Sequence, residues 1–293
     1  MHPRFAKPFE TLSAPLQAAL LPMLGDDFQA RFTPEQVATL KAATGLDDRA
    51  LRLALLPLAA ACSVAPISRF FVGAIACGLS GSWYFGANME FAGQGLFHSV
   101  HAEQSAISNA WLGGETGISE ITVNYTPCGH CRQFMNELST AKTLKVSLPD
   151  DLSELQSFLP HSFGPADLEI TDALMSPQAH DELVLESDDP LWQAALAAAR
   201  QSYAPYSQGY AAVALQFEDG RIFCGRYAEN AAFNPSLPPM QMACAHAVLN
   251  GEELTTVRRA VLLESKSGQI SQRDSAQSTL KALGRVELEY QAV

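Results

Sequence analysis

Tyr125-Thr126-Pro127-Cys128-Gly129-His130-Cys131, read together with His101-Ala102-Glu103 upstream, decides how this chain is built. The two stretches supply three metal ligands, His101, Cys128 and Cys131, and one free carboxylate, Glu103. A structural zinc site closes its tetrahedron with four Cys or His side chains, whereas a catalytic site keeps three and leaves the fourth position to water. Glu103, two residues beyond the histidine, is then placed to move protons to and from that water without binding the metal. His130, between the cysteines, is a fourth donor by type. Adjacent residues on a helix do not share a face, so it is expected to point away.

Plainer readings compete with this one. A lone His-x-Glu predicts nothing, and C-x-x-C alone fits zinc, a redox pair or coincidence. A thioredoxin-like dithiol follows a strand and opens a helix, and residues 127–131 do follow an apolar run, Ile118 to Tyr125. The distant His101 and Glu103 separate the readings, because a redox dithiol has no use for them.

Composition bounds the class. The chain has 293 residues, 47% hydrophobic and 17% charged, which is the balance of a soluble globular protein with room for two domains. The apolar stretch Leu53 to Ser68 is broken by Pro57 and Pro66 and falls short of the ~18–20 residues of a membrane span. Glu10 and the mixed charges around it do not form a signal peptide. Six cysteines could build a disulfide framework, but C-x-x-C with a distant histidine argues for reduced thiols and a cytoplasmic protein. A net charge of −12 repels polyphosphates, so nucleic acid is not expected as a partner and a small uncharged ligand is.

Sliding the chain over itself by 139 residues reveals a repeat. Ser63-Val64-Ala65-Pro66-Ile67-Ser68 returns as Ser202-Tyr203-Ala204-Pro205-Tyr206-Ser207, and Gly81, Gly86 and Glu90 fall on Gly220, Gly225 and Glu229. Two copies of one domain are expected. The same register carries His101 onto Met240, Glu103 onto Met242, Cys128 onto Ser267 and Cys131 onto Ile270. The second copy is thus expected to keep the fold and lack the zinc site.

Local signals place the motifs. Ala14 to Leu24 is apolar and reads as helical, and Thr33-Pro34-Glu35 reads as a cap, a proline at the first helical position and an acidic first turn of a helix ending near Gly45. Asp47 or Asp48 caps the next helix, through about Cys62, with Pro57 a kink. Phe70–Ala76 and Trp83–Met89 flank Gly78-Leu79-Ser80-Gly81 as a hairpin. A helix from Ala102 to Leu112 stops at Gly113-Gly114, followed by a strand at Ile118–Tyr125, a helix at Cys128–Leu138 and a strand at Leu144–Leu148. The fold class is α/β, an α/β/α sandwich around a mixed sheet, present twice behind a small helical region. The expected divisions are residues 1–46 (helical region), 47–167 (catalytic zinc domain), 168–185 (linker) and 186–293 (degenerate copy). Both halves of the ligand set open helices, whose positive ends favour thiolates at the metal. His98 and Cys77 are expected to be packing or surface residues rather than ligands.

Phe71–Ala74 (Phe-Val-Gly-Ala), Phe85–Glu90 (Phe-Gly-Ala-Asn-Met-Glu), His101-Ala102-Glu103 and the run Tyr125–Phe134 resemble the cytidine deaminases of the cytidine and deoxycytidylate deaminase family. The likeness covers nearly the whole chain and is to the long bacterial type, a catalytic domain followed by a degenerate copy. It implies hydrolytic deamination of cytidine and deoxycytidine to uridine and deoxyuridine in pyrimidine salvage, with one Zn2+ per subunit in a homodimer. It implies that Asn88, Met89 and Glu90 line the ribose site, that Phe70 packs near the base, and that the backbone at Ala102 and Thr126 contributes to recognition. Phe233 is the candidate for reaching the partner subunit's site. The chemistry agrees: hydroxide held on zinc adds to C4 while Glu103 carries protons to N3 and to the leaving amine. A carboxylate at Glu90 favours a neutral sugar over a phosphate. The alternatives are a related zinc deaminase acting on another base or nucleotide, and a noncatalytic zinc-stabilised interaction protein.

Overall fold

Two sheets of shared design organise the chain, whose computed structural model describes residues 1–25, 27–284 and 286–293. The N-terminal region forms α1 (Ala6–Glu10), α2 (Ala14–Leu20), a short strand β1 (Arg31–Phe32) and α3 (Pro34–Thr44). Thr33 and Gln36 close a reciprocal capping box at the start of α3, and Gly45 ends it at φ 69°. The region is therefore not wholly helical: β1 pairs antiparallel with the first sheet, Arg31 opposite Tyr84. Phe5, Leu16, Leu20, Phe32 and Leu40 share one core with the catalytic copy's Leu51, Leu55, Ile75 and Phe85.

The first copy follows as α4 (Asp48–Ala60), β2 (Gly73–Gly78), β3 (Trp83–Ala87), α5 (Ala102–Leu112), β4 (Ile118–Val123), α6 (Gly129–Met135), β5 (Lys145–Ser147), β6 (Leu152–Glu154) and α7 (Leu155–Phe158). Asp47 caps α4 by accepting from the Ala50 N–H at 2.8 Å, and Pro57 lies within the helix. The strand order is β1-β3-β2-β4-β5-β6, mixed because β4 and β5 run parallel while the other pairs are antiparallel. Side chains of a strand alternate between faces. Ile75 and Cys77 of β2 join the core under α4, while Ala74 and Ala76 join the core under α5. Both faces are covered, so every residue of β2 is buried.

The second copy is α8 (Pro190–Ala199), β7 (Ala211–Phe217), β8 (Ile222–Arg226), α9 (Pro239–Leu249), β9 (Val257–Glu264), α10 (Arg273–Lys281) and β10 (Leu288–Ala292), in sheet order β10-β9-β7-β8. α5 and α9 pack on each other, and one apolar core runs through both copies. Between the copies, Leu174 and Met175 are buried, and Leu174 exchanges backbone hydrogen bonds with Glu137 and Ser139.

The structure corrects the repeat register around α9. The bridge Val64–Met89 recurs as Tyr203–Ala228, at the expected offset of 139, but Met89–Val100 recurs as Ala228–Leu237. Gly86 packs against Ala102 and Ala106 of α5, whereas Gly225 packs against Pro239 and Ala243 of α9, an offset of 137. Two residues are missing before α9 and two are added after it, so β4 and β9 return to 139 with Ile118 matching Val257. His101 therefore corresponds to Pro238 and Glu103 to Met240, rather than to Met240 and Met242. The second copy still lacks the ligand set, and its helix α10 begins only at Arg273, beyond Ser267 and Ile270.

An arginine from elsewhere closes each of the two central helices. Arg226 of β8 donates to the Trp111 carbonyl at the end of α5 and lies 3.9 Å from the centroid of its indole. Arg4 donates to the carbonyls of Val248 and, at 2.6 Å, Leu249 at the end of α9. Each adds a charged donor at a helix end, where the Trp111 and Val248 carbonyls also accept from the N–H groups of Gly114 and Gly251. Among the described residues no helix is long and apolar enough to cross a membrane.

Candidate metal centre and active site

His101 is the N-cap of α5 and Cys128 the N-cap of α6, with Cys131 in the first turn of that helix. The two helix starts meet at the C-terminal side of β4, as the motif spacing predicts. His101 Nδ1 lies 3.4 Å from Cys128 Sγ and 3.3 Å from Cys131 Sγ, and the two sulfurs are 3.7 Å apart. Tetrahedral zinc with ordinary Zn–S and Zn–N bonds sets such pairs at about 3.8 Å between sulfurs and about 3.6 Å between nitrogen and sulfur. The donor set therefore fits zinc in type and in spacing. Among the described residues it is the one group of three or more His, Cys, Asp or Glu side chains so arranged.

The thiols are electrostatically coupled. The hydrogen bond from Cys131, and after it that from His101, pulls the Cys128 thiol down to about 3. The same bond to Cys128, with burial, pushes Cys131 well above the usual thiol range. Contact with Cys128 raises His101. A divalent cation with this donor set takes both sulfurs as thiolates and the imidazole as the neutral base.

His130 does not join the cluster. Its ring stacks on that of His101, with centroids 4.9 Å apart and planes at 25°, and burial lowers its pKa. Cys77 and His98 are buried and also stand outside it. Glu103, the second residue of α5, is only 4% exposed, and burial raises its carboxyl above the ordinary value. It is the carboxylate that a proton carrier needs: buried and brought closer to neutrality.

A cavity of about 570 Å³ opens over this cluster. His101, Ala102, Glu103 and Cys128 line it beside Phe70, Tyr125, Thr126, Leu96, Ser99 and Val100, and Ile67, Ser68, Val72, Asn88, Met89 and Glu90 complete the lining. The rings of Phe70 and Tyr125 lie 4.5 Å apart, both about half exposed. The Asn88 side chain accepts from the Val72 N–H at 2.9 Å and donates to the Phe70 carbonyl at 2.9 Å. Glu90 Oε2 accepts from the N–H groups of Ile67 (2.8 Å) and Ser68 (3.0 Å), and Oε1 accepts from the Ser68 hydroxyl. Burial raises the Glu90 carboxyl, but these bonds outweigh it and hold the group below the usual carboxylate range. Met89 is 2% exposed and fixes the neighbouring wall through backbone bonds to Val100.

Phe233 is 67% exposed, has φ 62°, and does not line this chain's own cavity. Sequence reasoning did not single out Leu96, Ser99 and Val100 as lining. A signal was present: Gly93-Gln94-Gly95 followed by two bulky apolar residues, Leu96 and Phe97, within a few residues of the metal ligand His101.

The cytidine and deoxycytidylate deaminase zinc-binding region matches residues 46–147 and again residues 155–277. The chain belongs to the cytidine and deoxycytidylate deaminase family. Two relatives within the family are aligned over 100% of both chains: a cytidine deaminase of Aeromonas hydrophila at 93% identity and one of Aeromonas salmonicida at 92%. A crystal structure of cytidine deaminase from Mycobacterium tuberculosis is 28% identical, covering 41% of this chain and 99% of its own, with a TM-score of 0.37. The second family match spans a copy with Pro238 and Met240 where the first has His101 and Glu103.

Proposed function

We propose that this chain is a zinc-dependent hydrolase that converts cytidine and deoxycytidine to uridine and deoxyuridine with release of ammonia, as part of pyrimidine salvage. One observation carries the reading: the three-ligand cluster of His101, Cys128 and Cys131 stands beside the buried Glu103 in a cavity that also presents Asn88 and Glu90. A structural metal site has no need of that carboxylate or that cavity. Full-length identity of 93% to a cytidine deaminase supports the substrate.

When bound, one zinc per subunit supplies the charge that makes a water nucleophilic near neutral pH. Glu103 would accept the first proton of the attacking water and pass it to N3 of the pyrimidine, then accept the second from the hydroxyl added at C4 and hand it to the amine, which leaves as ammonia. Phe70 and Tyr125 pack against the base. The backbone at Ala102 and Thr126 orients it. Asn88 and Glu90, held by their own backbone bonds, offer their remaining capacity to the ribose hydroxyls. An ionised Glu90 at this position repels a phosphate and selects a nucleoside over a nucleotide.

The division of the chain into 1–46, 47–167, 168–185 and 186–293 belongs to the same reading, as do a homodimer in which Phe233 reaches the partner subunit's site and residence in the cytoplasm. Exposed Phe70, Phe71, Leu96 and Phe97 around the cavity supply the apolar surface such a dimer would cover.

The test is ultraviolet-monitored conversion of cytidine by the zinc-loaded protein beside Glu103→Ala, with metal content measured for both. Conversion by the parent alone, at equal zinc, supports the reading. Failure of the zinc-loaded parent on both cytidine and deoxycytidine overturns the substrate and sends the search to other amino-substituted bases.

A further inference from the structure

The loop between β3 and α5 separates the substrate cavity from the degenerate copy of the same chain. Leu96, Ser99 and Val100 line the cavity. His98, between them, turns the other way and is 4% exposed. In the tautomer protonated on Nε2, its Nδ1 accepts from Gln241 Nε2 of α9 at 3.1 Å and lies 3.0 Å from the Thr279 hydroxyl of α10, whose one proton it shares with the Ser275 carbonyl at 3.0 Å. Gln241 is 1% exposed and Thr279 0%. The Ser278 hydroxyl donates to Gln94 Oε1 in the same loop at 2.6 Å. Three side chains of the degenerate copy thus hold the back of a wall whose front faces the substrate.

A second tie lies beside the metal ligand itself. Gln104, 1% exposed, accepts from the His101 N–H through Oε1 at 3.2 Å and donates through Nε2 to the Pro235 carbonyl at 3.1 Å. One amide therefore joins the backbone of His101 to a loop of the degenerate copy. In a buried, low-dielectric setting such bonds are costly to leave half made, so they fix position.

We infer that the degenerate copy braces the active site of its own chain, and that His98 is a positioning residue that sets the cavity wall at Leu96–Val100. His98 touches neither the metal cluster nor the cavity. Its effect passes through the backbone of its neighbours. The inference rests on the deaminase reading for its kinetic consequence and on geometry alone for its conformational one.

The test uses the full-length, zinc-loaded protein with His98→Leu, Thr279→Val, the double variant and the conservative His98→Asn, whose amide occupies the place of Nδ1. His98→Leu is expected to raise KM for cytidine about five-fold or more while kcat stays within about two-fold, with zinc content equal to the parent. The double variant is expected to be no worse than His98→Leu, because the contact to His98 that Thr279→Val removes is already gone there, and His98→Asn should recover most of the loss. Amide hydrogen exchange over residues 91–100 should quicken in His98→Leu and return in His98→Asn. Unchanged KM, an additive double variant, or exchange unaltered over 91–100 would overturn the inference. If the parent itself fails to turn over cytidine, the substrate reading is what has failed, and the exchange measurement alone decides the brace. Should His98→Leu not fold, Thr279→Val carries the same comparison.

Discussion

Glu229 repeats the backbone bonding of Glu90. Its Oε2 accepts from the N–H groups of Tyr206 (2.8 Å) and Ser207 (3.1 Å), as that of Glu90 does from Ile67 and Ser68. The pair shows that this carboxylate is first a fastening of the fold, present with or without a metal site. Glu229→Ala is expected to cost about 1–3 kcal/mol by leaving buried N–H groups without a partner, with cytidine turnover near the parent's. Glu90→Ala, whose partners at Ile67 and Ser68 are open to water, should lose less stability and show a raised KM. Denaturant unfolding beside steady-state kinetics checks both, and equal kinetic damage from the two substitutions would contradict a sugar-binding Glu90.

Glu103 should separate chemistry from metal binding. Glu103→Gln keeps the volume and the zinc and is expected to lower kcat by about 10²–10⁴, the usual worth of a positioned proton carrier. Single-turnover kinetics with elemental analysis reads this. A variant of undiminished kcat would remove Glu103 from the reaction.

The metal should staple the starts of α5 and α6. Cys131→Ala is expected to abolish stoichiometric zinc and activity together, and chelation of the parent should lower its melting temperature by removing a ligand that binds only the folded state. Zinc added back should restore both in the parent and neither in the variant.

Much of this was legible beforehand because it is local. The caps at Thr33 and Asp47, the glycine stop at Gly45 and the span of α5 depend on residues within a turn of one another. The ligand set was legible because three residue types at fixed helix starts leave few alternatives. The two-residue slip before α9 was not, since a deletion and a compensating insertion leave the glycines of the first hairpin and the strand β9 in perfect step. Neither was β1, two residues long and paired with a strand far along the chain. The partners of His98 are 143 and 181 residues away, and no pattern near His98 announces them.

Gly86 and Gly225 let a helix lie directly on a strand. A Cβ on Gly86 would run into the backbone of Ala102 and Ala106, and one on Gly225 into that of Pro239 and Ala243. Alanine at either site is expected to destabilise by about 1–3 kcal/mol. Only Gly86→Ala displaces the helix that carries His101 and Glu103, so it alone should also lower zinc affinity and turnover. Comparing metal content of the two variants tests whether the strand contact at Gly86 sets the position of the ligands.

His246 supplies the pH dependence. Burial holds its ring down to about 4, so it is neutral in the folded chain while an unfolded histidine titrates near 6.5. A lowered histidine pKa means stability that is present above the unfolded value and lost as pH falls through the folded one. The parent should lose about 3 kcal/mol between pH 7 and pH 4 from this group. His246→Leu should flatten that part of the curve, and an unaltered slope in urea unfolding at the two pH values would exclude it.

The crossed arginines tie three regions of the chain together. The end of α5, closed by its own Gly113 and Gly114, takes a further charged donor from Arg226 of the second copy, and the end of α9 takes one from Arg4 of the N-terminal region. A copy cut away from its neighbours would keep the helix and give up that donor. The half without the metal ligands thus holds the last turn of the helix that carries His101 and Glu103 at its other end.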